Sequence, residues 1–389
     1  MNEVYILGAA RTPMGSFLGS LSSVSAPQLG AVAIRGAIAQ ARIDAAQVDE
    51  LMMGCVLPAG IGQAPARQAG IAAGLPLSCA ATTVNKVCGS GMKTLMLAAN
   101  SLRAGEASFI VAGGMENMSL SPYLLPKVRA GLRMGHGEIK DSMFLDGLED
   151  AGTARAMGSF AQDTADQRGL TREAMDAFAI SSLQRAQKAQ EQSWFSGEIC
   201  PVTVSTRQGD IVISEDEQPR TARIDKIAGL RPAFSKNGTL TAANSSSISD
   251  GASALVLARA EACQGLRPLA RIVAQATHAR HPSEFTLAPI GALEKVLQRA
   301  GWRVADVDLF EINEAFAMVA MMPMLDLGID HSRLNVHGGA CALGHPLGSS
   351  GSRIVVTLLH ALMTHGGRRG VASLCIGGGE ATALAIELL

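Results

Sequence analysis

The feature that most constrains the fold is an internal duplication: the C-terminal third of the 389-residue chain echoes the N-terminal third, with a divergent stretch between them. In the first copy a helical run from Gly30 to Gln40 leads to Val48-Asp49-Glu50-Leu51 and an apolar strand; in the second, Gly291 to Ala300 leads to Val307-Asp308-Leu309-Phe310. Each copy continues through a glycine/serine turn that opens a helix, Gly89-Ser90-Gly91 or Ser350-Gly351-Ser352. Each then enters a buried strand and a glycine cluster ending in Glu, FIVAGGMEN at 109–117 and SLCIGGGEA at 373–381. Helices alternating with short Val/Ile/Ala-rich runs read as βαβ units. The expectation is therefore an α/β fold of two similar halves about a pseudo-twofold, 1–117 plus 248–268 and 269–389. Residues 118–247 differ in composition, with the charged helix TREAMDAFAISSLQRAQKAQEQ and the polar segment SEDEQPRTARIDK, and read as an inserted loop domain over the substrate.

A net charge of -1 without any block of like charge argues against a nucleic-acid footprint or a polybasic membrane patch. An anionic substrate would need local cations instead. The seven cysteines are scattered and lack CxxC spacing, so neither a disulfide framework nor a zinc site is suggested, and no metal is expected. The N-terminus lacks the basic and apolar regions of a signal peptide, and no apolar run reaches membrane-spanning length, so a cytoplasmic protein is expected.

Four residues carry possible chemistry. Cys88, in TVNKVCGSGM, sits where a helix begins. The unpaired N–H groups there favour thiolate over thiol and should lower its pKa from the free value of about 8.5. A small buried residue beside a tight turn is the competing reading. His345, in the glycine-rich NVHGGACALGHPLGSSG, occupies the corresponding turn of the second copy, where it either faces the cysteine as a base or merely precedes a helix with Pro346 at its start. Cys375 ends a buried strand before a triple glycine whose N–H groups suit an oxyanion, although a lone cysteine there is more often core filling. Asn313, in INEAFA, is either a helix cap or an amide holding water or an oxyanion.

Together the motifs decide. VCGSGM (87–92), GGMENMS (113–119), NEAFA (313–317), GGACALGHPLGSSG (338–351) and CIGGGE (375–380) resemble, in order, the signature segments of the thiolases. AARTP (9–13), LRPAF with the TAAN turn (230–244) and SISDGASA (247–254) extend the resemblance over almost the whole chain. It implies a five-layered α-β-α-β-α sandwich with an inserted loop domain. It also implies Cys88 as the acylated nucleophile, His345 as its base and Cys375 as the second acid/base. Asn313 with His345 would hold one thioester oxygen, and the N–H groups of Cys88 and Gly377 the other. Arg220 and Ser246 would contact coenzyme A, with Lys226 a further cation, while Leu148, Ala156, Met157, Phe234, Ala315 and Phe316 would line the substrate site. The implied substrates are acetyl-CoA, acyl-CoA and CoA, with no further cofactor, in a homodimer or homotetramer serving fatty acid metabolism.

Departures from the family pattern cluster near the acyl pocket. Ala156-Met157-Gly158 stands where acetoacetyl-CoA-specific members read His-Met-Gly, and Phe285 where Met is expected. Both bear on acyl chain length. Ser247, His337, Cys341, Glu380 and Ala381 also depart, and none removes a catalytic group. The alternatives are a 3-ketoacyl-CoA thiolase preferring longer or branched chains, a condensing enzyme of the ketoacyl-synthase type, and a non-catalytic acyl-CoA-binding relative. Retention of Cys375 speaks against the second, and retention of all four groups against the third.

Overall fold

A computed structural model describes residues 3–389. The first half runs β1 (Val4–Arg11), α1 (Ala26–Ala41), β2 (Glu50–Gly54), α2 (Pro65–Ala73), β3 (Ala80–Val84), α3 (Ser90–Ala104) and β4 (Phe109–Asn117). The chain then crosses an insert containing α4 (Met157–Gln167) and α5 (Arg172–Glu191), and returns as β5 (Ser249–Arg259). The second half follows as β6 (Ala270–Ala279), α6 (Ala288–Ala300), β7 (Leu309–Ile312), α7 (Ala317–Leu327), α8 (Leu347–His365), β8 (Arg369–Ile376) and β9 (Glu380–Leu388).

The two sheets have the same strand order. It is β3-β2-β4-β5-β1 in the first half and β7-β8-β9-β6 in the second, where a single bridge from Phe310 to Leu334 stands in place of an outermost strand. β4 and β5 are antiparallel and buried along nearly their whole length, because helices cover both faces of the sheet. Layers of helix (α1, α2), sheet, helix (α3, α8), sheet and helix (α6, α7) give the expected five-layered sandwich. The sheets also join along one edge, where Tyr5 and Ile6 of β1 pair with Arg271 and Ala270 of β6.

One local device appears in both halves. Asp49 accepts the N–H groups of Ser108 and Phe109, at 2.7 and 3.0 Å, just as Asp308 accepts those of Arg368 and Arg369, at 2.8 and 2.7 Å. This match makes Phe109 the counterpart of Arg369, and so corrects the register expected between the glycine clusters. Gly113, Gly114 and Met115 correspond to Ser373, Leu374 and Cys375, whereas Gly377, Gly378 and Gly379 lie beyond, in the hairpin joining β8 to β9. Glu116 and Glu380 are therefore not equivalent. A second correction concerns α8, which begins at Leu347, so that Ser350, Gly351 and Ser352 lie inside its first turns and do not form the entry turn.

At the centre, α3 and α8 cross where neither carries a side chain. A Cβ on Gly91 would overlap Ser352, and one on Gly351 would overlap the backbone of Met92. A Cβ on Gly114 of β4 would strike the carbonyl oxygen of Gly348. The insert is tied to this core by Arg11, fully buried, whose guanidinium donates to Asp216 at 2.6 and 2.9 Å and to Glu198 at 2.6 Å. Pairing with two carboxylates offsets the cost of burying the charge and keeps the guanidinium protonated.

Since Gly348 O belongs to backbone that cannot swing aside, Gly114→Ala should destabilise the protein by about 3 kcal/mol, the upper range for overpacking a core. Urea titration reads this as a lower midpoint; an unchanged midpoint would show that the helix entry shifts easily.

Candidate active site

Cys88 is presented by a strained turn. The residue before it, Val87, has φ +46°, a left-handed conformation costly for a β-branched side chain. Hydrogen bonds over-determine it: Val87 N donates to Asn85 Oδ1 at 2.9 Å, Lys86 N to Ser90 Oγ at 2.8 Å, and Ser90 Oγ to Val87 O at 2.7 Å. The side chain of Cys88 therefore leaves the chain at the N-terminus of α3 and enters a cavity of about 240 Å³. Two backbone N–H groups, its own and that of Gly377, point at its sulfur. A carbonyl carbon attached to that sulfur would place its oxygen within reach of the same donors.

Burial nevertheless pushes the Cys88 thiol up, to about 11, with the two N–H groups opposing and the nearby Glu116 reinforcing. This corrects the expected lowered pKa: in a dry pocket desolvation outweighs the helix terminus. His345 is likewise held neutral. Burial, aided by the positive field of Arg353, lowers its pKa to about 3. Its Nδ1 lies 2.5 Å from Ser350 Oγ, which itself donates to Pro346 O at 2.9 Å. If that hydroxyl proton goes to Pro346 O, Nδ1 carries the imidazole proton and Nε2 is left as a base. Nε2 is buried and has no partner in the protein, and the same holds for Asn313 Oδ1. Asn313 stands behind the imidazole, with Nδ2 at 3.5 Å from Nδ1. Cys375, at the end of β8, is a thiol whose pKa is raised well above normal by burial and by the neighbouring Cys88.

The cavity gathers most of the residues expected from sequence. Cys88, His345, Cys375, Gly377, Leu148, Ala156, Met157, Phe234, Ser246, Ala315 and Phe316 line it, together with Phe285. Asn313 adjoins it through His345. Arg220 does not line it: it lies on the exposed helical turn Glu217–Thr221, paired with Glu215 at 3.0 Å. Lys226 lines a separate groove of about 420 Å³ with Arg223 and Leu230. Five further lining groups have no signal in the sequence, Ile248 among them. Phe144 and Gly147 reach the cavity from a π-helical turn over Phe144–Leu148, which no simple period announces. Ser245 lines it with a buried hydroxyl lacking a protein partner, and Leu347 through the early start of α8. Ser350, which fixes the imidazole, was legible only as a helix-opening serine. Among the described residues no group of three or more His, Cys, Asp or Glu is placed to hold a metal, and no helix is long and apolar enough to cross a membrane.

Fold and site together define a duplicated α/β acyltransferase whose cavity holds two thiols and an imidazole. A thiolase N-terminal domain model matches residues 4–261 and a thiolase C-terminal domain model residues 266–388. The chain belongs to the thiolase family. It is 49% identical to acetyl-CoA acetyltransferase from Pseudomonas aeruginosa, over 99% of both chains. It is equally similar, at 49%, to that from Escherichia coli over the full length of both. Among solved structures, an Ascaris suum thiolase in complex with coenzyme A superposes with a TM-score of 0.94 at 41% identity, covering 100% of both chains. A Bacillus anthracis acetyl-CoA acetyltransferase gives 0.97 at 39% identity, covering 100% of this chain and 99% of the other.

The neutral imidazole has a stability consequence with a definite sign. Its folded pKa, about 3, lies below the ordinary 6.5, so below pH 6.5 the unfolded chain binds the extra proton and this group's contribution falls as pH falls. Stability of His345→Asn relative to wild type should therefore rise by about 1.4 kcal/mol per pH unit on acidification below that value. Urea midpoints of both proteins across the range check this, and parallel curves would show that the buried imidazole titrates normally.

Proposed function

We propose that the enzyme catalyses the reversible condensation of two acetyl-CoA molecules to acetoacetyl-CoA and CoA through an acyl group on Cys88. The observation that carries this reading is the convergence of two backbone donors on the Cys88 sulfur inside an apolar cavity that also holds a second thiol and an imidazole with an unpartnered Nε2.

In the first half-reaction Nε2 of His345 takes the Cys88 proton as the sulfur attacks the thioester carbonyl. The negative oxygen of the tetrahedral adduct sits between the N–H groups of Cys88 and Gly377, where charge develops in a site of low dielectric. The departing CoA thiolate takes the proton of Cys375. That explains why a resting thiol, with its high pKa, suits this residue. The Cys375 thiolate then removes the α-proton of a second acetyl-CoA. Protonated His345 and the Asn313 amide, directly or through water, stabilise the enolate oxygen. The enolate carbon attacks acyl-Cys88, and the expelled Cys88 thiolate recovers its proton from His345. Run backwards, the same steps cleave a 3-ketoacyl-CoA with CoA. Ser246 and the cations Arg220 and Lys226 are assigned to the pantetheine and nucleotide ends of CoA, the two cations because they stand exposed near the insert's edge.

A second reading concerns chain length. Ala156, in the cavity wall where acetoacetyl-specific members carry His, removes a polar ring from a lining otherwise supplied by Phe144, Leu148, Met157, Phe234, Phe285 and Phe316. This favours admission of longer or branched 3-ketoacyl chains. We further assign the enzyme to the cytoplasm and to fatty acid metabolism, as a homodimer or homotetramer. Exposed apolar side chains at Leu120, Tyr123, Leu125, Leu132 and Ile139 support assembly.

Cys88→Ser should lower acetoacetyl-CoA thiolysis, followed by loss of enolate absorbance, by about 10⁴-fold or more, while Cys375→Ser should still gain one acetyl mass from acetyl-CoA yet make no carbon–carbon bond. Full activity of the first, or no acylation of the second, would reverse the roles assigned to the two thiols. For chain length, Ala156→His should cut turnover of six-carbon relative to four-carbon substrate about tenfold, the discrimination expected of one or two methylenes. An unchanged ratio would place the chain-length determinant elsewhere.

A further inference from the structure

The two oxyanion donors assigned above come from opposite halves of the molecule. Cys88 N–H belongs to the strained entry to α3, and Gly377 N–H to the hairpin between β8 and β9. Their separation is set by whatever joins these two turns. Van der Waals contact supplies part of it, since Gly89 packs against the side chain of Ile376 so closely that a Cβ there would overlap it. That contact limits approach from one side and does not prevent the turns from moving apart.

A direct tie does exist. Lys86 Nζ pairs with Glu380 Oε2, residues 294 positions apart in sequence. Each is anchored through its backbone to one of the two turns. Lys86 N donates to Ser90 Oγ at 2.8 Å, and Lys86 O accepts from Gly89 N at 3.0 Å, so this residue is built into the Cys88 turn. Glu380 opens β9, where it pairs with Ile376 on one side and Ala279 on the other. The intervening Gly378 and Gly379, both at φ +91°, are the soft part of the hairpin, and the carbonyl of Gly379 is held by Arg280 N at 2.8 Å. Glu380 thus reaches from the sheet across the glycine turn to the strained segment that carries Cys88. Its side chain is 38% exposed and that of Lys86 23%, so the pair is screened and adds little to global stability. Its effect is geometric.

We propose that Lys86 and Glu380 are positioning residues whose ion pair clamps the Cys88 turn to the glycine hairpin and fixes the spacing of the Cys88 and Gly377 N–H donors on the thioester oxygen. This rests on the acyl-Cys88 reading. Neither residue lines the cavity. Loss of either end lets the hairpin drift by a fraction of an ångström, and donors aimed at a developing oxyanion lose effect steeply with misplacement.

The test is single-turnover acylation by acetyl-CoA, followed by intact mass, in wild type, Glu380→Gln, Lys86→Met and the double variant. Each single variant should acylate ten- to a hundredfold more slowly, with the KM for acetyl-CoA and the urea midpoint unchanged. The double variant should be no slower than either single one, because one clamp is lost only once. Alkylation of Cys88 by iodoacetamide, which needs no oxyanion donors, reads the thiol's own pKa, and withdrawal of the Gly377 N–H from the sulfur should raise that pKa to the same extent in all three variants. A purely electrostatic role is distinguished by sign: removing the ammonium and removing the carboxylate would shift the pH profile of alkylation in opposite directions, whereas loss of the clamp shifts it upward in both. Wild-type acylation rates in either single variant, additive losses, or opposite alkylation shifts would overturn the proposal. If wild type itself acquires no acetyl group at Cys88, the underlying mechanism fails, and that result is distinct from the others.

Discussion

The contact on which the rest of the structure depends is the crossing of α3 and α8 at Gly91 and Gly351. Each glycine faces the backbone of the other helix, Gly91 against Ser352 and Gly351 against Met92, a reciprocal arrangement that a pseudo-twofold axis through the crossing produces. Hydroxyls complete the seam: Ser253 of β5 lies 2.9 Å from Ser349 Oγ and 2.7 Å from Ser352 Oγ. Because the two helices touch without side chains between them, their N-termini open into the same small volume. A methyl group at either glycine would separate the Cys88 turn from the His345 turn, and the cavity would no longer be shared.

The electrostatics of the site follow from how dry that volume is. Several charges elsewhere in the interior are paired, as Arg11 is with Glu198 and Asp216, and Arg353 with Glu311 at 3.1 Å. The reacting groups are instead held neutral, two thiols with raised pKa values and an imidazole with a lowered one. An uncharged resting site makes charge appear only as bonds change, when the backbone donors and the Asn313 amide are already aimed. Glu116 adjoins this arrangement. Its carboxylate, raised to about 7 by burial, accepts from Val56 N, Leu57 N and Gly348 N at 2.8 to 3.1 Å, tying the first half to the start of α8.

Much of this was legible in the sequence, for identifiable reasons. The duplication showed because Asp49 and Asp308 perform the same task at the same place in each half, and because glycine is forced wherever backbone meets backbone. Cys88, His345, Cys375 and Asn313 showed because their motifs are ordered and specific. The register between the glycine clusters was misread, since Gly113-Gly114 serves close packing inside a strand while Gly377 to Gly379 serves a hairpin. One residue type answers two unrelated backbone demands. The pKa of Cys88 was misjudged for a similar reason: a helix terminus is visible in sequence, whereas the depth of burial that overrides it depends on the packed whole. The roles of Ser350, Ser245 and Phe144 were hidden because side-chain direction in an irregular turn has no periodic signature.

The corrected register also shows how a symmetric fold became an asymmetric catalyst. With Gly91 opposite Gly351, the counterpart of Cys88 is Gly348, and with Phe109 opposite Arg369, the counterpart of Cys375 is Met115. Cys88 thus stands on the helix entry of one half, and Cys375 on the strand end of the other. Substituting cysteine at both equivalent positions of one element would have produced two identical thiols related by the axis, each with the same surroundings. Placing them on non-equivalent elements gives each its own environment: both are buried and each meets its own backbone N–H, but Cys88 receives a second one from Gly377, while Cys375 is pushed further up by the proximity of Cys88. Acyl transfer needs one sulfur whose adduct oxygen is stabilised and another that keeps its proton until a leaving thiolate demands it. Duplication supplied the shared cavity; divergence at Gly348 and Met115 kept the two sulfurs from doing the same work.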